Sequence, residues 1–442
     1  MPDSLAAVVM AAGLGTRMKS AVAKHFHPIL GRPMVDWVLA AARASGADRV
    51  VVVASPAAQE AFADASVDVA VQVEPLGTGD AVRAARAALA GHDGDVLVLS
   101  GDTPALTAAV LHELVEAHRR EAADATLLTA RPPDPRLYGR VVRDAVGRVV
   151  RVAEGTDATE DEQRIAEVNT SIYVFRAEAL WPALDRLEPR NVQGELYLTD
   201  VVEILVGSGR TVAAYEARDW RDTEGVNTRV ELAQAAVILR DRINEAHMLE
   251  GVTLQDPLTT WIEPTVELAP DVTVGPFTVL RGATTVAGGA EIGAHCVIVD
   301  AAIGAGATIG PFCYLRPGTV LGESSKAGTF VEIKNSRIGD RTKVPHLSYI
   351  GDAEVGSDTN VAAGNITVNF PHKPGEPKGR TTIGSNVRTG VQNAFVAPVT
   401  IGDGAWIGAG SVITKDVPAD ALAVARARQE NKEGYAARKR GD

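Results

Sequence analysis

From Val274 onward, the chain places an aliphatic residue at every sixth position. The anchors run Val274, Leu280, Val286, Ile292 and Ile298, resume after a one-residue slip at Ile303, Ile309 and Leu315, and return at Ile401, Ile407 and Ile413. Neither an α-helix nor an ordinary strand has this period. It is typical of a parallel β-helix, in which each short strand turns one aliphatic side chain inward. We predict three faces with about 18 residues per coil, and the alternative is an irregular Gly-rich β domain.

The first half of the chain alternates short apolar runs with helical patterns. The predicted strands are Leu5–Ala11, Arg49–Ala54, Val69–Val73, Asp95–Ser100 and Ala125–Ala130, and the predicted helices are Pro33–Ser45, Gly79–Ala90 and Thr107–Glu121. This alternation predicts an α/β fold with βαβ units and a mostly parallel sheet covered on both faces.

These two patterns divide the chain into three predicted parts. Residues 1–227 form the α/β domain, residues 228–250 form a linker helix with Gly251 as its stop, and residues 251–442 form the β-helix domain with a basic tail. The segment Phe370–Arg380, rich in Pro, Gly and Lys, breaks the six-residue rhythm. We predict a loop there, and loops that leave a solenoid often carry binding residues.

Composition narrows the classes of function. The net charge of −12 argues against broad nucleic-acid binding. No apolar run reaches the length of a membrane span, and the first apolar stretch reads as a strand rather than a signal peptide. Cys296 and Cys313 are too few for a disulfide framework or a zinc site, so we expect a cytoplasmic protein. The basic tail is either solvated or an anion clamp for a phosphorylated ligand; its cations are Arg426, Arg428, Lys432, Arg438, Lys439 and Arg440.

A Gly-rich turn follows the first predicted strand. It reads Ala11-Ala12-Gly13-Leu14-Gly15-Thr16-Arg17-Met18, and its backbone N–H groups can close on phosphates, although the pattern is neither a Rossmann nor a Walker motif. Arg17 and Lys24 add two cations that suit a polyphosphate whose charge must be neutralised during transfer. Asp102 follows another predicted strand, where a carboxylate suits Mg²⁺; a helix N-cap is the alternative.

These stretches resemble the sugar-nucleotide pyrophosphorylases. Together with the hexapeptide repeat, they are similar to the family of bifunctional N-acetylglucosamine-1-phosphate uridylyltransferase/glucosamine-1-phosphate acetyltransferase enzymes over nearly the whole chain. The further motifs, in family order, are Leu76-Gly77-Thr78-Gly79, Gly101-Asp102, Tyr138-Gly139-Arg140, Glu167-Val168-Asn169-Thr170, Gln193-Gly194-Glu195-Leu196-Tyr197-Leu198-Thr199-Asp200 and Glu224-Gly225-Val226-Asn227.

For the first domain, the resemblance implies uridylyl transfer from UTP to N-acetylglucosamine 1-phosphate, with Arg17 and Lys24 as catalytic residues and Mg²⁺ held by Asp102 and Asn227. The resemblance also implies which residues bind UTP and UDP-N-acetylglucosamine. They are Ala11, Ala12, Gly13, Lys24, Gln72, Gly77, Thr78, Gly139, Glu154, Asn169 and Asn227. Without the resemblance, Glu154 reads as a solvated strand carboxylate and Asn169 as a turn residue.

For the second domain, the resemblance implies a left-handed β-helix that forms a homotrimer and transfers an acetyl group from acetyl-CoA to glucosamine 1-phosphate. His346 is the candidate general base, although a lone histidine in a repeat is more often a polar turn residue. The residues implied to bind the amino-sugar phosphate are Arg316, Lys334, Tyr349 and Asn360. The residues implied to bind acetyl-CoA are Asn369, Phe370, Val391, Ala409 and Arg426. From the coil spacing we expect Arg316 and Lys334 to converge with His346, and Glu332 to orient the imidazole.

The sequence departs from the family pattern at a few positions. Pro75 stands where a second glutamine is usual, Phe370 where a tyrosine is usual, and Val391 where a serine is common. Ala23–His27 reads Ala-Lys-His-Phe-His instead of Pro-Lys-Val-Leu-His. These departures leave the sugar and nucleotide selectivity open.

Two other functions remain as alternatives. The first is a sugar-1-phosphate nucleotidyltransferase whose β-helix acts on another amino sugar or serves only to form a trimer. The second is a non-enzymatic assembly or regulatory protein, which the set Arg17, Lys24, Asp102 and Asn227 disfavours.

Overall fold

The chain divides into two compact units, residues 1–239 and residues 240–442. A computed structural model describes residues 4–13, 15–63, 66–135, 138–155, 157–371 and 375–441. Leu14 of the phosphate motif and His372 of the predicted loop lie outside these ranges. The division falls within the helix Arg229–Leu249, which begins in the first unit and ends in the second.

A mixed sheet forms the centre of the first unit. Its strands and the small hairpin are β1 Leu5–Ala11, β2 Pro28–Ile29, β3 Arg32–Pro33, β4 Arg49–Ala54, β5 Asp68–Val71, β6 Asp95–Ser100, β7 Ala125–Ala130, β8 Arg140–Arg143, β9 Val149–Ala153, β10 Val168–Arg176 and β11 Val212–Glu216. The main order is β11-β7-β10-β6-β1-β4-β5, and β8 pairs with β9 and β10. The neighbours are parallel except that β10 runs antiparallel to β6 and β7, and β8 runs antiparallel to β9 and β10.

Helices cover this sheet. They are α1 Met34–Ala44, α2 Thr78–Ala84, α3 Ala108–Arg120, α4 Glu160–Gln163, α5 Ala177–Leu184 and α6 Asp200–Gly207, with α7 Arg229–Leu249 after them; short 3₁₀ turns span Thr16–Met18, Lys24–Phe26, Gln59–Phe62 and Trp220–Thr223. Alternate side chains of β1 enter two different apolar clusters. Val8 packs on the side of α2 and α5, and Val9 packs on the side of α1 and α3. Both faces of the sheet are therefore buried, which is why β1 is apolar throughout.

The second unit is a parallel β-helix with three faces. Face 1 has the strands Thr253–Leu254, Thr273–Val274, Glu291–Ile292, Thr308–Ile309, Lys326–Thr329, Lys343–His346, Arg388–Thr389, Trp406–Ile407 and Leu422–Ala423. Face 2 has Trp261–Ile262, Val279–Arg281, Val297–Val299, Tyr314–Leu315, Glu332–Lys334, Tyr349–Gly351, Ile366–Val368, Ala394–Val396 and Val412–Ile413. Face 3 has Glu267–Leu268, Thr285–Val286, Ala302–Ile303, Val320–Leu321, Arg337–Ile338, Ala353–Val355, Thr381–Ile383 and Val399–Ile401.

The predicted aliphatic anchors form the core of this β-helix. All eleven anchors, from Val274 to Ile413, are buried in one continuous cluster. Thr273 pairs with Glu291 in the next coil, 18 residues later, whereas Ala353 pairs with Thr381, 28 residues later. The extra residues belong to the segment that breaks the rhythm, so the predicted loop leaves the coil where the sequence indicates. The predicted α/β fold followed by a helix and a β-helix is confirmed.

The C-terminal half of α7 covers the first coil. Asn244 Nδ2 donates to the carbonyl oxygens of Pro257, at 2.8 Å, and Thr260, at 2.9 Å. Arg240 Nη1 donates to Leu258 O at 2.7 Å. Backbone groups that no preceding coil can pair are therefore satisfied by side chains of the helix. Among the described residues, no helix combines the length and apolarity that crossing a membrane requires.

Candidate active sites

Two cations and two residues with acceptor oxygens meet near the carboxyl ends of β1 and β6. Lys24 Nζ donates to Asp102 Oδ2 and, at 2.7 Å, to Asn227 Oδ1. Arg17 Nη2 donates to the same Asn227 oxygen at 2.8 Å. Ser100 Oγ donates to Asp102 Oδ1 at 2.6 Å. Four residues predicted from separate motifs therefore form one hydrogen-bonded cluster.

Burial and charge act in opposite directions on the carboxyl group of Asp102. Burial, the largest single influence, raises its pKa, but the ammonium of Lys24, the charge of His25 and the hydrogen bonds from Lys24 and Ser100 together lower it more. The net pKa lies below the ordinary value, so Asp102 is a carboxylate at neutral pH. It is not a helix N-cap, because Thr107 caps α3.

Close backbone packing fixes this cluster. Gly101 N donates to Met10 O at 2.9 Å, and Val226 N donates to Asp102 O at 2.8 Å. Gly15 has φ of 61°, and a Cβ there would collide with Lys24 Cβ. The first loop, the strand end and the segment before α7 therefore hold each other at the site.

The residues implied for base recognition lie in a second set of contacts. Gln72 Nε2 donates to Gly77 O and to Asp80 Oδ2, both at 3.0 Å. Leu198 N donates to Thr78 Oγ1 at 2.9 Å. The motif around Gly77 is thus joined to the motif that contains Leu198. Asp80, the partner of Gln72, was not among the predicted residues. Its position in the first turn of α2, directly after the Gly77-Thr78 motif, is the feature of the sequence that could have identified it.

The residues implied for sugar binding also lie together. Asn169 N donates to Gly139 O at 2.8 Å, and Thr199 Oγ1 donates to Glu154 Oε1 at 2.8 Å. The other oxygen of Glu154 lies 3.5 Å from the position of a Cβ built on Gly139. Glu154 is partly buried and Asn169 is buried within β10. The readings of a solvated carboxylate and a turn residue are therefore wrong.

Two polar groups in this region have distinctive environments. Asn169 Nδ2 donates to Tyr173 Oη at 2.7 Å, but its buried Oδ1 has no hydrogen-bond partner among the described residues. Burial raises the pKa of Glu154, and the carboxylates of Asp200 and Asp157 raise it further, against the hydrogen bond from Thr199. Asn169 Oδ1 lacks a hydrogen-bond donor, and additional donors would stabilise the charged form of the Glu154 carboxyl group. Both groups therefore suit a ligand with hydroxyl or amide N–H groups.

A cavity of about 440 Å³ adjoins the cation cluster, and another of about 830 Å³ adjoins Glu154. Arg17 and Asn227 line the first, beside the aromatic rings of Tyr138 and Trp220. Tyr197 and Asp200 line the second. Both volumes can accept a small molecule.

In the second unit, Arg316 and Lys334 occupy equivalent positions in neighbouring coils of face 2. They follow Leu315 and Ile333, which pair directly. Arg316 Nη1 donates to Glu332 Oε1 at 2.8 Å. Glu332 was expected to orient His346; the contact observed for its carboxylate is the one with Arg316, and its role toward the imidazole stays a prediction.

A further lysine joins this pair. The neighbouring Lys378 side chain lowers the pKa of Lys334 by hydrogen bonding and by like charge. Lys378 Nζ also lies 5.9 Å from the ring centroid of Phe370. Lys378 belongs to the loop that leaves the coil and was not among the predicted residues. The sequence indicated its role only through its place in a loop of the kind that often carries binding residues.

Tyr349 and Asn369 complete this end of face 2. Asn369 Nδ2 donates to Asp352 Oδ2 and, at 3.5 Å, to Tyr349 Oη. A Cβ on Gly351 would collide with the Tyr349 hydroxyl, which therefore lies across the glycine toward Asn369. Polar groups from four successive coils gather at this edge, because the in-register pairing stacks them.

His346 occupies a different edge. It ends a strand of face 1, pairs with Thr329, and lies at the corner before face 2. His346 was expected to converge with Arg316 and Lys334, but it lies only 12 residues beyond Lys334, which is about two thirds of a coil. Within one chain it does not share their column. Asn360 lies on face 1, between Lys343 and Arg388 in the adjacent coils.

The corner that contains His346 continues through later coils. Gly364 N donates to His346 O at 3.3 Å, Gln392 N to Ala363 O at 2.8 Å, and Gly410 N to Val391 O at 2.9 Å. We call the residues His346, Ala363, Val391 and Ala409 the corner column. A Cβ on Gly410 would lie 3.8 Å from Arg426 Cδ, so Arg426 follows the end of the column.

The chain is similar to known proteins along nearly its full length. Residues 7–168 match the MobA-like NTP transferase domain. The bifunctional protein GlmU of Streptomyces avermitilis is 47% identical over 458 residues, which cover 98% of this chain and 94% of that protein. The GlmU proteins of Streptomyces coelicolor and Bacillus velezensis are 48% and 43% identical, covering 98% of this chain and 94% and 98% of their own lengths. The chain therefore belongs to the family of the bifunctional protein GlmU, which confirms the family predicted from its motifs.

Proposed function

We propose that this chain makes UDP-N-acetylglucosamine in two reactions at separate sites. Residues 251–442 transfer an acetyl group from acetyl-CoA to glucosamine 1-phosphate, and residues 1–227 then transfer a uridylyl group from UTP to the product; residues 228–250 link them. The observation that carries this proposal is that each unit holds its own cluster of cations beside polar groups suited to a sugar. One cluster contains Lys24 and the other contains Lys334.

The uridylyl site would hold Mg²⁺ through Asp102 and Asn227. The two oxygens already converge on one cation, the ammonium of Lys24, so their spacing suits a positively charged guest. A carboxylate and an amide oxygen are ligands that Mg²⁺ accepts alongside water and phosphate. When bound, Mg²⁺ supplies charge neutralisation to the phosphates of UTP.

The residues of the chain supply the remaining functions of this site. The backbone of Ala11, Ala12 and Gly13, with Gln72, Gly77 and Thr78, binds the uridine nucleotide. Arg17 and Lys24 neutralise the triphosphate, and Lys24 can exchange its bonds to Asp102 and Asn227 for phosphate oxygens.

The N-acetylglucosamine moiety is held by three residues, Gly139, Glu154 and Asn169. Asn169 Oδ1, which is buried without a partner among the described residues, can accept a hydrogen bond from the sugar. A phosphate oxygen of the sugar 1-phosphate then attacks the α-phosphorus of UTP in line, a new P–O bond forms, and pyrophosphate leaves. Positioning and charge stabilisation suffice, so no protein nucleophile is required.

The acetyl site would use His346 as the general base. Its exposed imidazole takes a proton from the amine of glucosamine 1-phosphate as the nitrogen attacks the thioester carbonyl, and the CoA thiolate leaves. Arg316 and Lys334 bind the sugar phosphate, and Tyr349 and Asn360 bind the sugar. Asn369, Phe370, Val391, Ala409 and Arg426 bind acetyl-CoA.

The corner column gives the acyl donor a direction. His346 and Ala409 lie three coils apart, and neighbouring coils are spaced about 4.8 Å apart, so about 14 Å separates their levels. An extended pantetheine arm spans such a distance. With the thioester at His346, the phosphates of CoA reach the level of Arg426.

We also propose that the active form is a homotrimer. His346 and the pair Arg316 and Lys334 lie at different edges of one β-helix, yet both must contact one small sugar phosphate. A neighbouring copy can supply the missing edge, which makes the site dependent on assembly. Because UTP and acetyl-CoA are intracellular metabolites, the proposal places the protein in the cytoplasm.

The test uses purified full-length protein and mass detection of products. The sugars are glucosamine and galactosamine 1-phosphates, the nucleotides are UTP and dTTP, and the donors are acetyl-CoA and succinyl-CoA. We expect UDP-N-acetylglucosamine from glucosamine 1-phosphate, acetyl-CoA and UTP. Formation of a different nucleotide sugar, or pyrophosphate release without acetyl transfer, would support the alternative of another amino sugar or a trimer-forming β-helix.

Two variants separate the sites. His346→Ala should abolish CoA release and leave pyrophosphate release intact, and Asp102→Ala should do the reverse. Equal acetyl transfer by His346→Ala would remove His346 from the mechanism, and unchanged Mg²⁺ dependence in Asp102→Ala would contradict the metal assignment.

A further inference from the structure

Trp406 is a large apolar side chain exposed on face 1, with 62% of its surface accessible. It pairs in register with Arg388 in the preceding coil, and Arg388 pairs with Asn360 in the coil before that. Asn360, Arg388 and Trp406 therefore form one stack of outward side chains on face 1, which we call the outer file. Asn360 in this file is a proposed sugar-binding residue. The proposed function assigns no role to it.

A shallow groove separates this file from the corner column. Because outward positions alternate along a strand, Ala362, Gly390 and Gly408 lie between the two files. A Cβ on Gly390 would lie 2.6 Å from Ala409 Cα, and a Cβ on Gly408 would lie 3.0 Å from Val424 Cγ2. Close stacking of the coils thus excludes side chains from the floor at both glycines.

The two walls of the groove differ in height. On the corner side, Val391 and Ala409 are short, whereas the opposite wall rises to the indole of Trp406, with Leu422 exposed beside it in the next coil. A flexible chain that lies along the corner column would therefore contact Trp406 on its outer side.

Trp406 lies at the level of Ala409, three coils beyond His346. If the thioester is at His346, the part of the donor that reaches this level is the far end of the pantetheine arm, with its branched apolar carbons. We propose that Trp406 is a binding residue for the pantetheine arm of the acyl donor, packing its indole against that segment. This inference rests on the proposed acetyl transfer.

The test compares three acetyl thioesters of increasing length with Trp406→Ala. These are S-acetylcysteamine, S-acetyl-4′-phosphopantetheine and acetyl-CoA. We expect the KM for the two longer donors to rise about tenfold, as the loss of one aromatic packing surface predicts, while kcat/KM for S-acetylcysteamine stays unchanged. Trp406→Phe should restore most of the affinity.

The controls separate binding from folding and from assembly. Glu291→Ala changes an outward residue at the other end of face 1 and should leave every KM unchanged. The KM for glucosamine 1-phosphate, the uridylyl transfer rate and the molecular mass in solution should not change in Trp406→Ala.

Several results would overturn the proposal. The first is an unchanged KM for acetyl-CoA in Trp406→Ala, and the second is a raised KM for acetyl-CoA with an unchanged KM for S-acetyl-4′-phosphopantetheine. The third is an equal loss of kcat/KM with S-acetylcysteamine, and the fourth is a change in the molecular mass of the variant in solution. Calorimetric titration with CoA keeps this test apart from the proposed function. A wild-type protein that binds CoA but transfers no acetyl group would contradict the proposed reaction, and the CoA affinity of Trp406→Ala would then decide the role of Trp406.

Discussion

Lys24 and Asn227 are joined by a hydrogen bond of 2.7 Å from the lysine ammonium to the amide oxygen. The lysine is buried and also donates to the carboxylate of Asp102. A buried ion pair of this kind is satisfied only while both partners are present. Lys24 therefore neutralises Asp102 in the free protein. Under the proposed function, Mg²⁺ would take over this neutralisation and leave the ammonium of Lys24 to the phosphates of UTP.

Replacing Lys24 should disable uridylyl transfer. In Lys24→Met, the triphosphate loses a fixed cation, and we expect kcat to fall roughly 100-fold to 1,000-fold, the range for one electrostatic contact in a preorganised site. Acetyl transfer by the same sample should be unchanged. Pyrophosphate release and CoA release are measured in parallel.

The matched control is Lys19→Met, which removes an exposed lysine from the same segment and should retain full activity. Because Lys24→Met leaves Asp102 buried without its main cation, its Mg²⁺ affinity should be measured as well. Wild-type pyrophosphate release by Lys24→Met would remove the lysine from catalysis.

His25 should make the first unit sensitive to acid. Burial lowers the pKa of its imidazole from 6.5 to about 4, with Lys24 adding to the effect and Asp102 opposing it. The unfolded chain binds the proton near pH 6.5, so the stability that neutral His25 contributes is complete above that pH and is lost as the pH falls toward 4. This pKa shift corresponds to a loss of folding free energy on the order of 3 kcal/mol once the pH is below the folded-state pKa.

In His25→Leu, this loss should disappear. Hydrogen exchange in peptides from β1 and β6, followed from pH 7 to pH 4.5, should show a smaller drop in protection than in the wild type. His112→Gln, at an exposed position, should follow the wild-type profile. An equal acid sensitivity in His25→Leu would show that other groups control the transition.

The sequence predicts this fold well where one periodicity dominates. The ends of β1, β4, β6 and β7 coincide with predictions because each is an apolar run between polar residues. The helix Thr78–Ala84 is shorter than its predicted range, since the following turns also contain small residues with high helix propensity. The antiparallel position of β10 carries no local signal, because both faces of every central strand are buried.

The sites were less predictable than the fold. Motifs identify Lys24, Asp102 and Asn227, but only the structure shows that Lys24 bridges the other two. Residue spacing suggested that His346 meets Arg316, yet a coil has three edges, and a separation that is not a multiple of the coil length changes the edge. Lys378 was missed because the loop that carries it has no repeat from which to infer its position.

Gly77 should be intolerant of a side chain. It has φ of 116°, and a Cβ would lie 2.5 Å from Leu196 O, the acceptor of the hydrogen bond from Gly79 N. Gly77→Ala should therefore displace the loop that carries Thr78 and lower the affinity for UTP by at least tenfold, with no effect on acetyl transfer. Initial rates at varied UTP measure this effect.

Gly147→Ala provides the control for backbone strain alone. Gly147 has φ of 84°, but its surroundings within 4 Å are open, so this variant carries conformational strain without a collision. A loss of about 1–2 kcal/mol in stability is expected there, with unchanged KM for UTP. Similar KM values in both alanine variants would mean that the contact with Leu196 does not control the nucleotide loop.

Lys378 should contribute to binding of glucosamine 1-phosphate. Its side chain lies beside Lys334 and lowers the pKa of that residue, so the two like charges repel until an anion lies between them. In Lys378→Met, we expect the KM for glucosamine 1-phosphate to rise about tenfold, the loss of one charge-assisted contact, and the dependence of KM on salt to weaken. The KM for acetyl-CoA should change little. Lys415→Met, at an exposed position elsewhere in the β-helix, is the matched control. If the KM for acetyl-CoA rises instead, the lysine serves the donor rather than the sugar phosphate, and the pair with Lys334 is not the phosphate site.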